Sequence, residues 1–214
     1  MGSLDAVRSV VKDRAVIRRE RLVGVRPVHV VAAKVAVLAE LTAVQVLVLT
    51  GVALAGVSTV DHGAALPWPW LELTVDAWAC AFAGGCIALA ISAAAAGTDR
   101  ALAVLALVLV PQIVLSGGVM ALRDAPVLQP LAVLSAARWG MSAAAATTDL
   151  RGLETETAVP VPLSPAMIAT ARHQDSDRGW DHRPGAWLGD LGALAALSVL
   201  SLAVGVGMLS RRRR

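Results

Sequence analysis

A charge-free apolar stretch from Leu191 to Leu209 runs directly into Arg211, Arg212, Arg213 and Arg214. Hydrocarbon excludes charge and about 20 apolar residues suffice to cross it, so this stretch reads as a membrane helix. Arginines clustered against a span favour the cytoplasmic face. Three further stretches have the same character, about Val30–Val57, Ala77–Ala96 and Ala101–Ala121. With 57% hydrophobic residues, well above the share in a soluble domain, the chain has the lipid bilayer as its main solvent.

The charges fall between these spans in an ordered way. Arg8, Lys12, Arg14, Arg18, Arg19, Arg21, Arg26 and Lys34 precede or open the first span, Arg100 sits in the turn 97–100, and the arginine run follows the last. Arg123, Arg138, Arg151, Arg172, Arg178 and Arg183 fall to the other side, so the bias predicts four spans with both termini cytoplasmic. The net charge of +3 comes from these patches and forms no basic face, which argues against a nucleic-acid partner. Cys80 and Cys86 lie in one apolar segment and read as free thiols.

The expected fold is therefore an all-α integral membrane protein of four transmembrane helices. A cytoplasmic interfacial helix precedes them, and short outer-face helices precede the last span. Residues 1–29 form a cytoplasmic segment and residues 30–214 the membrane domain, with 122–190 as an outer excursion. The stretch from Ser58 to Asp76, holding Glu72 and Asp76 but no lysine or arginine, reads as an outer loop, with Trp68, Trp70 and Trp78 as an aromatic belt. Pro130 to Thr148 is expected on the membrane surface, too short and interrupted to cross.

Within the spans, Gly84, Gly85, Ala88 and Ser92 form a small-residue packing face. Pro111 interrupts the third span and frees a carbonyl that needs a partner. Glu40 and Gln45 are polar groups near the middle of the first span, where desolvation is costly. These four positions, Glu40, Gln45, Pro111 and Gln112, are the candidates for lining a path or for helix packing.

No phosphate-binding G-x-x-x-x-G-K-[ST] loop, H-E-x-x-H, G-x-S-x-G or C-x-x-C occurs. The chain is expected to bind no nucleotide or other cofactor directly, to hold no metal site and to carry out no catalysis. The outer segment around Arg172, His173, Asp175, Asp177, Asp181 and His182 is rich in metal-binding residue types, but its spacing matches no defined site.

The residues Lys12-Asp13-Arg14-Ala15-Val16-Ile17-Arg18-Arg19-Glu20-Arg21-Leu22-Val23-Gly24 resemble the connecting segment before the third span of ABC-2 type transporter permeases, the ABCG-like group above all. Val110-Pro111-Gln112 through Ser116-Gly117 is similar to that family's P-Q-x-x-x-S-G segment, and Arg138-Trp139-Gly140 to its R-W-G segment, in the family's order. The resemblance implies a permease without its own ATPase, coupled through Arg14, Arg18, Arg19, Glu20, Arg21 and Gly24 to an ABC ATPase subunit or domain that supplies ATP. The family usually has six spans, which leaves two helices to be supplied by a second permease copy, by a half carrying them, or by sequence upstream. Scarce lysine among many Ala, Val and Arg residues points to a high-GC bacterial source, and the resemblance implies an inner-membrane location. The alternative reading is a membrane scaffold or sensor that anchors the outer segment.

Overall fold

In the computed structural model, residues 27–55, 62–117, 128–149 and 181–211 are described. Among them the chain forms six helices: α1 (Pro27–Leu54), α2 (Pro69–Ala94), α3 (Thr98–Val114), α4 (Gln129–Ala132), α5 (Ala136–Thr147) and α6 (Pro184–Arg211). In hydrocarbon, only a helix or a closed barrel satisfies every backbone N–H and C=O internally, and these apolar stretches adopt the helix. Proline opens α1, α2 and α6, at a position whose N–H would be unpaired in any case.

Three of the helices, over Val28–Leu54, Pro69–Ala94 and Pro184–Ser210, are long and apolar enough to cross a membrane. The third expected span is shorter than the sequence pattern suggested. Its helix ends at Val114, one turn beyond Pro111, and the chain turns at Gly117 with φ of +88°.

Two boundaries also move outward from the expected ones. Helix α2 begins at Pro69 and α6 at Pro184, so Glu72, Asp76, Trp187 and Asp190 all sit inside helices. The loop expected over Ser58–Asp76 is thereby shortened, and its Glu72 and Asp76 are buried. The hydropathy pattern reads charge as a span boundary, but these acids find hydrogen-bond donors inside the bundle, as described below.

The packing order follows from cross-helix contacts. α1 and α2 run antiparallel, with Thr74 Oγ1 donating to Thr50 Oγ1 at 3.2 Å and Trp78 Nε1 donating to Ala39 O at 3.3 Å. α2 and α6 run parallel in the most extensive helix pair of the bundle, with Trp187 meeting Asp76 near one end and Gly205 meeting Ala90 near the other. We call these the acidic end and the basic end, since Lys34 and Arg100 lie at the second and α6 ends there at Arg211. α3 packs more lightly, inserting Ala101 and Leu105 into a core with Leu38, Cys86, Leu89 and Leu209.

The segment expected on the membrane surface does form the short helices α4 and α5, but α5 is drawn into the bundle. Its start packs at the depth of Ala83 and Leu194, and its end reaches Asp76. Gly140 makes this possible, because a Cβ there would lie 2.7 Å from Cys80 Sγ and 2.8 Å from Cys80 Cβ. The turn before α5 is tied to α3, where the Ser135 hydroxyl donates to Gln112 O at 3.3 Å.

On the small-residue face, Gly85, Ala88 and Ser92 are buried. A Cβ on Gly85 would meet the Leu38 side chain at 2.7 Å, so α1 and α2 approach as closely as hydrogen permits. Gly85→Val is expected to destabilise the protein by about 1–3 kcal/mol through overpacking. Adding Leu38→Ala should recover part of that loss in thermal unfolding of the purified protein, because the two changes share one contact.

A candidate polar centre at the acidic end

Three helices bring buried polar groups together at the acidic end. Asp76 on the second turn of α2 is only 2% exposed. Trp187, in the first turn of α6, donates its indole N–H to Asp76 Oδ1 at 2.7 Å, and the Thr147 hydroxyl, at the last turn of α5, lies 3.2 Å from Oδ2. The same hydroxyl lies 3.1 Å from Ala143 O, so its single proton is shared between two acceptors. Three helices thus converge on one carboxylate.

Asp190, one turn beyond Trp187, is 3% exposed. It is hydrogen-bonded to the Ser142 hydroxyl of α5, and the Arg138 guanidinium acts on it electrostatically from the preceding turn. Its Oδ2 is buried without a hydrogen-bond partner among the described residues. Such an atom is costly in a low-dielectric interior, which marks this as a place where the bundle is not optimised for stability alone.

Glu72, fully buried one turn before Asp76, folds the preceding loop onto α2. Its Oε2 accepts the Ala64 N–H at 2.8 Å, and its Oε1 accepts those of Ala65, at 2.6 Å, and Leu66. Gly63 leaves room for this carboxylate, since a Cβ there would lie 2.6 Å from it. Three backbone donors that would otherwise be orphaned beside an apolar core are met by one side chain. His182 adds a last tie, with Nδ1 2.7 Å from Ala146 O at the end of α5.

The residues singled out from sequence fall elsewhere. Glu40 and Gln45 are exposed on the outer side of α1, whose buried stripe is Val31, Leu38, Thr42 and Val46. Pro111 is exposed and Gln112 half-buried on α3. None of the four reaches the polar centre. Arg14, Arg18, Arg19, Glu20, Arg21 and Gly24 lie outside the described residues, as does the stretch 172–177. Of the expected belt, Trp68 and Trp70 are exposed at the acidic end, whereas Trp78 turns inward and stacks on Phe82 with centroids 5.6 Å apart.

The centre has a sequence signal, though not in charge alone. Trp187, Asp190, Leu194 and Ser198 follow one helical stripe, and all four are buried. On α2, Glu72 and Asp76 lie in register with buried Ala83 and Cys86. Acids in phase with a packing stripe, rather than opposite to it, belong to the interior.

Comparison with known proteins places this architecture. The family model described as ABC-2 type transporter matches residues 2–148. The chain belongs to the ABC-2 type transporter family. A relative, the ABC transporter ATP-binding/permease protein Rv1747 of Mycobacterium tuberculosis (strain ATCC 25618 / H37Rv), is 35% identical over 201 residues, 94% of this chain and 22% of that protein. The chain thus spans about a fifth of the relative's length and corresponds to a permease component. In this ABC-2 membrane domain the match runs from the N-terminal segment through α5, which takes in Asp76, Ser142 and Thr147 and stops short of Trp187 and Asp190.

Trp187→Phe keeps the ring and removes the donor to Asp76, and is expected to cost about 1.5–3 kcal/mol, as for a hydrogen bond to a charged group. Thermal unfolding in detergent should show it, and in an Asp76→Asn background the same change should cost measurably less. Glu72→Gln replaces one acceptor oxygen by an amide NH2. Amide hydrogen exchange at residues 64–66 should then rise while exchange along α1 stays as in the parent protein.

Proposed function

We propose that this chain is the membrane-spanning permease part of an ATP-driven ABC-2 type transporter in a bacterial inner membrane. The observation that carries the proposal is the family match over residues 2–148, joined to a relative whose name couples ATP binding with a permease. α1, α2, α3 and α6 cross the membrane, with the basic end at the cytoplasm. Although α3 has 17 residues, at 1.5 Å per residue it extends about 26 Å, close to the hydrocarbon thickness. α4 and α5 then dip into the bundle from the outer side, which is tolerated because their polar groups are met by protein rather than lipid.

Residues 1–29 act as the cytoplasmic coupling segment. A partner ATPase binds and hydrolyses ATP, and its closure pushes on Arg18, Arg19 and Glu20, with Arg14, Arg21 and Gly24 completing the contact. Work is transmitted only if this contact differs between the inward and outward states of the bundle. The outward face of α1 supports the need for further helices. It carries Val37, Leu41, Val44, Leu47 and Val48 around Glu40 and Gln45, and polar groups at that depth require protein or water as neighbours. A second permease copy, or a half carrying two more helices, covers it.

Copurification from membranes tests the reading directly, since the ATPase should accompany the tagged permease. Reversing charge with Arg18→Glu and Arg19→Glu is expected to lower ATPase retention at least several-fold and to abolish stimulation of hydrolysis by the permease. Unchanged retention and stimulation would remove the coupling role from this segment.

A further inference from the structure

The two innermost acids of the polar centre are met very differently. Asp76 on α2 and Asp190 on α6 are 2% and 3% exposed, and they lie close enough that Asp190 acts electrostatically on Asp76. Asp76 has a donor within reach of each oxygen, the Trp187 indole N–H at 2.7 Å and the Thr147 hydroxyl at 3.2 Å. Asp190 is met on one side alone. The Ser142 hydroxyl serves one oxygen, while Oδ2 is buried with no hydrogen-bond partner among the described residues.

The other charged groups at this end do not fill that gap. From α5, the Arg138 guanidinium offsets part of the negative charge without hydrogen-bonding to Oδ2. On α2, Glu72 adds a like charge near Asp76 and is itself engaged by loop amides, and the Cys80 thiol feels the Asp76 charge. His182, ahead of α6, is tied to Ala146 O. On α1, Glu40 is exposed on the outward side and Lys34 lies at the basic end.

We propose that this pair of acids holds one proton, carried on Asp190 Oδ2, which makes the acidic end a proton-binding site. Two like charges confined in one low-dielectric region repel, and a single proton removes one of them. The donor inventory decides between the two acids, because Asp76 already has partners suited to an anion. At Asp190, an unpartnered hydroxyl costs far less than an unpartnered anionic oxygen. The proton comes from water at that end as α5 and α6 dock on α2, and returns to it when they part. By linkage, acid at that face favours the docked arrangement and alkali the parted one. The inference rests on the geometry of the bundle and holds whether or not an ATPase drives it.

The test is infrared difference spectroscopy of the full chain, purified with its partners in mild detergent and titrated with acid and base. Near neutral pH the wild type is expected to show the C=O stretch of a neutral carboxylic acid, identified by its shift in D2O. Asp190→Asn should abolish that band. Asp76→Asn should make it titrate away at a lower pH, since the neighbouring like charge is gone. Ser142→Ala, which removes the donor to the other oxygen, should shift its frequency. The fold also keeps a proton that an unfolded aspartate releases, so thermal stability should fall as pH rises above the ordinary carboxylate range. Asp190→Asn, the neutral isostere, should flatten that slope. Absence of the band in the wild type, its survival in Asp190→Asn, or an unchanged titration in Asp76→Asn would overturn the assignment. If Asp190→Asn does not fold, a band left unmoved by Ser142→Ala overturns it equally.

Discussion

A carboxylate shut away from water must be met by donors, and the way Asp76 is met organises this bundle. The indole of Trp187 and the hydroxyl of Thr147 come from helices that are remote in sequence, so one side chain holds α2, α5 and α6 in register at their acidic ends. The rest of the packing is apolar and weakly directional. Small-residue contacts such as Gly85 with Leu38 and Gly205 with Ala90 permit close approach, but it is the polar centre that sets which residue faces which. Glu72 extends the principle to the loop, where one carboxylate replaces the missing partners of three amides.

Much of this architecture is legible in the amino-acid sequence, because a bilayer imposes length and apolarity on any segment that crosses it. The first, second and last spans, the tight connection at Gly97 and the small-residue face of α2 follow from that logic. Where the reading went astray, one cause operates. By pattern Glu72, Asp76 and Asp190 mark the aqueous side, because charge is normally excluded from hydrocarbon, yet each is at most 3% exposed. Their donors lie on other helices or, for Glu72, on the backbone of a neighbouring loop, and local pattern carries no information on either. The same blindness placed Pro130–Thr148 on the surface. Gly140 looks like a helix breaker in isolation, while in the fold it is the point at which α5 passes Cys80.

The candidate path residues show the converse. Glu40 and Gln45 stood out because they are polar in an apolar run, and they lie on the outward side of α1 rather than among the polar groups of the centre. Two polar features of the same domain therefore have opposite relations to its surface. One closes the bundle on itself, and the other faces away from it.

The pairing of Asp76 with Trp187 spans 111 positions of sequence. At a synthesis rate of 5–20 residues per second, on the order of ten seconds separate the emergence of the acid from that of its indole donor. Through that interval α2 has entered the membrane region with its carboxylate still lacking the partners that α5 and α6 bring. The donors that complete the Asp76 site are thus the last parts of it to be made, and the carboxylate waits for α6 before its site can close.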